Sequence, residues 1–240
     1  MSSEQWPPPG TLFQSLEDLG PQWHASGTLR PSRLRSIVSF MDGPPAHSGE
    51  TGAGISTLLF SNISSHHVVF SLDEGANPGD DTMAKVRKSP LFRPDGVDLV
   101  LGPSQQTLPQ HRFESQLDLF LIDGPHAYPF PELEYYYVYP HLRAGALLII
   151  DDAQIPTIGR LVSFLKEDDM FEHVAMVETT AIFRRTHAPT FPPTEDNWWI
   201  QRYNRRRYGE PNSRVRRLVR GLPPVVKSPI RRMRSLVPWG

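Results

Sequence analysis

The sequence predicts an α/β protein with a mostly parallel sheet, helices on both faces and an antiparallel hairpin near the carboxyl terminus. Three observations carry this. The apolar runs that begin at Leu117 (LDLFLIDGPHAY) and at Ala146 (ALLIIDD) end abruptly in acids and lie about a helix's length apart, as in a strand-helix-strand unit. A glycine-rich turn, Glu50 to Thr57, leads straight into the apolar Leu58, Leu59 and Phe60. Two later runs, His173 to Val177 and Ala181 to Arg184, are joined only by Glu178, Thr179 and Thr180, which leaves room for a hairpin and nothing larger.

At 240 residues the chain holds one such domain with a proper core, plus appendages. Its 25 prolines outnumber its 17 glycines, which assigns part of the length to irregular segments at the ends. The expected division is a cap or irregular segment over 1–41, the α/β domain over 42–189 and a tail over 190–240. The absence of cysteine excludes disulfides, thiolate metal ligands and cysteine nucleophiles. No apolar run reaches the roughly 18 residues of a spanning helix, and MSSEQWPPPG lacks the pattern of a signal peptide, so a cytoplasmic location is expected.

Taken in order, helices are expected over Leu12 to Leu19 and Arg33 to Met41, then a loop from Asp42 to Gly49. Gly52 and Gly54 permit a tight turn with close backbone approach, and Ser56 and Thr57 are suited to cap the helix that follows. Val68 to Leu72 reads as a strand ending at Asp73, which stands 21 residues after Gly52, a spacing suited to an acid that accepts hydrogen bonds from ribose hydroxyls. Thr57 replaces the third glycine of a dinucleotide fingerprint, which disfavours that ligand; a purely structural turn is the alternative reading.

A helix over Asp81 to Lys88 and a strand over Val97 to Leu101 come next, the latter followed by Gly102, Pro103 and Ser104. After the strand that begins at Leu117, a helix is expected over Pro131 to Leu142. Leu133, Tyr136, Tyr137 and Pro140 form its packed face and Gly145 a left-handed cap beyond it. Ala146 to Ile150 is the fifth strand, and Thr157 to Lys166 the helix before the hairpin.

These pieces resemble, in order, those of the class I S-adenosylmethionine-dependent methyltransferases, and within them the metal-dependent small-molecule and sugar O-methyltransferase branch. Glu50-Thr51-Gly52-Ala53-Gly54-Ile55-Ser56-Thr57 is similar to the turn at the methionine end of the cofactor. Ile122-Asp123-Gly124-Pro125-His126 is similar to I-D-G-x-H, and Leu142 through Asp152 to an L-K-P-G-G turn, an apolar strand and paired acids. The resemblance covers roughly 50–185 and implies a Rossmann-like seven-stranded sheet and S-adenosylmethionine bound by Glu50, Gly52, Gly54, Ser56, Asp73, Ser104 and Asp123. It also implies a small-molecule hydroxyl acceptor. Pro44 and Pro45 stand where an apolar first strand belongs, so that strand is either very short or the cofactor pocket is altered.

In an open sheet the ligands lie beyond the carboxyl ends of the strands, so Asp123, Asp151 and Asp152 are expected to converge there. Converging carboxylates repel unless neutralised, and Mg²⁺ or another divalent cation does this with oxygen ligands, as at these positions in the resembled branch. His126 is the expected catalytic base toward the acceptor hydroxyl.

Net charge of −1 hides an asymmetry: in residues 201–240, eleven arginines and Lys227 face the single acid Glu210, a balance of +11 that leaves −12 for the first 200 residues. Trp198, Trp199, Tyr203 and Tyr208 interleave with arginines, and Val215, Leu218 and Val219 share one face of a basic segment. A docking tail, a peripheral contact with anionic lipid or another acidic partner, and a homo-oligomer are the partner classes this admits. Two other functions stand beside the enzyme reading: a binding or scaffold protein that keeps the fold without turnover, and a nucleic-acid methyltransferase using the tail.

Overall fold

Seven strands make a single sheet: β1 (His47–Thr51), β2 (His66–Ser71), β3 (Val97–Leu101), β4 (Leu117–Ile122), β5 (Leu142–Ile150), β6 (Phe171–Val177) and β7 (Thr180–Arg185). Their order is β3-β2-β1-β4-β5-β7-β6, parallel from β3 to β5, with β7 antiparallel to both β5 and β6. The computed structural model describes residues 6–20, 29–73, 82–191, 194 and 196–208. The chain forms two compact units, 1–190 and 191–240. No helix among the described residues is long and apolar enough to cross a membrane.

Helices α1 (Gly10–Asp18), α2 (Pro31–Val38) and α3 (Ile55–Ile63) bury Phe13, Leu16, Leu34, Ile37, Leu58 and Leu59 against Leu119, Leu121, Leu147, Ile149 and Ile182 of the sheet. The first 41 residues thus contribute two helices to the main core. Helices α4 (Thr82–Lys88), α5 (Ser104–Thr107), α6 (Phe130–Val138) and α7 (Pro156–Leu165) complete the unit. Along β4, Leu119 and Leu121 enter the core that holds α1 to α3. Phe120, one step out of phase, meets Phe70 across the other face with ring centroids 6.4 Å apart.

The first strand is short and polar. Pro44 and Pro45 precede it, and β1 has only five residues, His47-Ser48-Gly49-Glu50-Thr51, yet it lies between β2 and β4. A polar strand survives there because β2, α3 and α6 supply partners for most of its polar atoms. Ser48 Oγ is 2.8 Å from His67 Nδ1, and His67 Nε2 is 3.2 Å from Glu50 Oε1, which also accepts the Thr57 hydroxyl. Gly49 admits the aromatic layer, since a Cβ there would stand 2.7 Å from Phe120 and 3.0 Å from Val68. Gly49→Ala is expected to cost about 1–3 kcal/mol by overpacking, read as a lowered denaturation midpoint at unchanged slope.

Two expected boundaries move. The sixth helix ends at Val138, followed by a 3₁₀ turn over Tyr139–His141, and β5 begins at Leu142. Gly145 is therefore no helix cap; it lies inside β5 with φ +85°, where the pairing slips between Leu117 and Leu119, and its left-handed conformation serves a bulge. The packed face of α6 also differs, for Pro131, Glu134 and Val138 are buried whereas Tyr136 and Pro140 are exposed. The buried Glu134 displaces the tyrosine stripe that apolar periodicity picks out.

A shallow cleft lies at the amino edge of the strands, lined by residues that include Pro44, Pro45, Asp118, Arg143 and Arg184. Its charges are matched internally, Arg143 to Asp118 and Arg184 to Asp42, so the unmatched polar chemistry lies at the other edge.

In the second unit a 3₁₀ turn (Trp198–Ile200) precedes α8 (Arg202–Tyr208), where the Arg207 guanidinium lies 3.7 Å from the Tyr203 ring centroid. The rest of the basic tail, Val215, Leu218 and Val219 included, falls outside the described residues.

Candidate active site

The order of strands reverses between the parallel β1 and β4, and ligands of such sheets bind in the crevice at the carboxyl ends beside that switch. The glycine turn stands there. Gly52 has φ +84°, and a Cβ on it would lie 2.4 Å from the Asp123 carbonyl oxygen, so the turn and the end of β4 touch backbone to backbone. Gly54 caps the start of helix α3, its N–H donating to Thr57 Oγ1 at 3.0 Å, and Ser56 is buried in the first turn. The Asp123 N–H donates to Thr51 Oγ1 at 3.2 Å, locking β4 to β1 just before the IDGPH segment.

Three buried oxygens in this region, Glu50 Oε2, Ser104 Oγ and Glu134 Oε1, find no hydrogen-bond partner within the protein. Such groups are costly unless a ligand or water satisfies them, so they fit a polar cofactor. Asp73 is exposed at the end of β2 and accepts Arg87 Nη1 at 2.7 Å.

Glu134 is the residue that sequence reasoning missed. It is buried beneath the loop after β4: Thr51 Oγ1 donates to its Oε2 at 2.8 Å, and a Cβ on Gly124 would meet its Oε1 at 2.1 Å. Burial pushes its carboxyl up to about 7 against the opposing pull of the Ser104 and Thr51 hydroxyls, although Ser104 completes no hydrogen bond. A carboxyl raised in the folded state weakens the fold as pH climbs from about 4.5 to about 7, the range in which only the unfolded chain ionises. Above that window the loss is at most about 3 kcal/mol. Glu134→Gln is expected to flatten the stability profile over that range and to raise stability at pH 8, as measured by urea denaturation.

Asp123 is half-buried, and its carboxyl is held well above the usual range by desolvation and then by the charges of Asp151, Asp152, Glu50 and Glu134. Ligand atoms of Asp123, His126 and Asp152 lie within 4.8 Å of one another, a spacing that fits a metal ion. His126 Nε2 is 3.4 Å from Asp152 Oδ2, while the His126 carbonyl accepts the Thr157 hydroxyl at 2.6 Å. Asp152 has φ +54° and accepts Gln154 Nε2 at 2.8 Å on its other oxygen.

Asp151 does not join this trio. Its side chain turns into the protein and accepts Arg33 Nη1 at 3.1 and 3.3 Å and Thr180 Oγ1 at 2.6 Å. Both acids lie beyond the end of β5, where the left-handed backbone at Asp152 breaks the strand, so one of the two adjacent acids joins the trio and the other is spent inside. The donors that meet are two carboxylates and an imidazole, where the sequence pointed to three carboxylates.

Sheet order, glycine turn and acidic edge are similar to those of the class I methyltransferase fold. Residues 49–153 match the family model described as a methyltransferase domain. The fold is similar to that of a candidate O-methyltransferase from Klebsiella pneumoniae, at 14% identity over 76% of this chain and 93% of that one, with a TM-score of 0.57. An O-methyltransferase from Bacillus cereus in complex with S-adenosylhomocysteine matches at 15% identity over 77% and 94%, TM-score 0.54. TomG, an O-methyltransferase from Streptomyces achromogenes in complex with S-adenosylmethionine, matches at 14% identity over 78% and 99%, TM-score 0.51. No curated protein sequence matches.

Proposed function

We propose that this protein transfers a methyl group from S-adenosylmethionine to a hydroxyl of a small molecule, such as a sugar or natural-product intermediate, with a divalent cation at the carboxyl edge. The observation that carries this reading is the meeting of Asp123, His126 and Asp152 beside the glycine turn. Asp123 and Asp152 would hold the cation, whose chemistry there is that of a Lewis acid lowering the pKa of a hydroxyl. His126, 42% exposed and oriented by Asp152, accepts the hydroxyl proton. Glu50, Ser104 and the Gly52 turn bind the cofactor, and the fixed strand ends set the line of attack. Tyr128 stands open to solvent two residues on, with Arg160 5.7 Å from its ring centroid, and offers the acceptor an aromatic rim.

The test is calorimetric titration of the full chain with S-adenosylmethionine, with Mg²⁺ and then with chelator. Cofactor binding is expected in both conditions, and its absence from both would sink the reading. His126→Gln is expected to lower kcat about 10²–10³-fold while cofactor affinity stays within about threefold. A parallel loss of cofactor binding would mean that His126 has a structural role.

A further inference from the structure

We infer that Arg33, on α2 and remote in sequence from every motif, is a positioning residue for the acidic edge; this rests on the reading of that edge as a cation site. Arg33 is buried, and each of its partners lies on the strand end or turn that flanks Asp152. Its Nη1 donates to both Asp151 oxygens and to Thr179 Oγ1 at 3.0 Å, with Thr180 Oγ1 at 3.5 Å, and its Nη2 donates to Glu178 Oε2 at 2.7 Å. One guanidinium thus ties the end of β5 to the turn between β6 and β7.

The backbone closes the clamp around Asp152. On one side the Asp151 N–H donates to the Ile122 carbonyl at 3.1 Å; on the other the Ala153 N–H donates to the Thr179 carbonyl at 2.8 Å. Asp152 itself holds the left-handed φ of +54°, which aspartate tolerates better than most residues but which is still less favourable than the right-handed regions and is held here by bonds on both sides. Arg33 bears on both neighbours of Asp152, on Asp151 directly and on Ala153 through Thr179. It also matches the charge of Asp151, so the negative groups left facing the crevice from the two strand ends are Asp123 and Asp152. Only a rigid, multidentate cation does both, which is the capacity arginine has over lysine.

The experiment measures Mn²⁺ binding to the full chain by calorimetry and electron paramagnetic resonance, together with amide exchange at Asp151 and Ala153. Arg33→Met is expected to weaken Mn²⁺ at least about tenfold and to speed both amides, the scale typical of lost support behind a metal ligand. Arg33→Lys is expected to recover part of the affinity. Leu34→Ala, on the same helix but facing the core, controls for lost stability, and at equal loss of Tm it is expected to leave Mn²⁺ affinity within about twofold. Equal or tighter Mn²⁺ binding by Arg33→Met, or a loss in Leu34→Ala that matches it, overturns the inference alone. Failure of the unaltered protein to bind Mn²⁺ overturns the cation site as well.

Discussion

Asp123→Asn is expected to lower methyl transfer at least about 10³-fold and to abolish its dependence on a divalent cation. Asp152→Asn should cost about 10²-fold and Asp151→Asn no more than about tenfold. The ranking follows from placement. Asp123 ends the central strand β4, is raised by burial and by four neighbouring acids, and belongs to the trio that meets within 4.8 Å. A cation there would relieve the repulsion that now disfavours its charge. Asp152 shares the trio but sits on a turn with one oxygen already taken by Gln154. Asp151 faces Arg33 and Thr180, which both donate to its Oδ1, and the single amide oxygen of asparagine can still accept from both. The check is a metal titration of initial rates for the three variants, with calorimetry of Mn²⁺. Equal losses at Asp151 and Asp123 would restore the three-carboxylate site that the sequence alone indicates.

That difference shows what a sequence reveals and what it hides. The runs over Val97–Leu101 and Leu117–Ile122 and the 173–184 hairpin were legible because buried strands leave apolar stretches bounded by turns. The glycine turn was legible because only glycine tolerates what happens at Gly52. The first strand was harder, since His47-Ser48-Gly49-Glu50-Thr51 carries no apolar signal. Its burial depends on partners at His67, Thr57 and Glu134, which a local window does not see. The same cause hid Glu134, an acid that reads as helix surface until Thr51 is found above it. Arg33 was hidden most deeply: in RLRSIV it looks like a solvated charge, and its partner Asp151 lies 118 positions away. Apolar periodicity reports which face is buried, but it does not report a buried charge that has been paired through the fold.

Gly52→Ala is expected to destabilise the domain by about 2–5 kcal/mol and to remove measurable cofactor binding. Two independent costs combine. An alanine at φ +84° is strained by roughly 1–2 kcal/mol, and its Cβ falls 2.4 Å from the Asp123 carbonyl oxygen. That oxygen is backbone at the end of a buried central strand and cannot rotate aside as a side chain would. The clash is relieved only by parting β1 from β4, which breaks the bond from the Asp123 N–H to Thr51 and moves the Asp123 carboxylate with it. Gly52 in the proposed cofactor turn and Asp123 in the proposed cation site are thus one mechanical unit. Gly52→Ala should therefore weaken Mn²⁺ as well as S-adenosylmethionine, although Gly52 offers a metal no ligand. Gly10→Ala supplies the contrast: at the start of α1 a Cβ meets nothing within 4 Å, and stability and both affinities should hold. If Gly52→Ala loses the cofactor but keeps Mn²⁺ affinity at a temperature where it is folded, the two sites are mechanically separate.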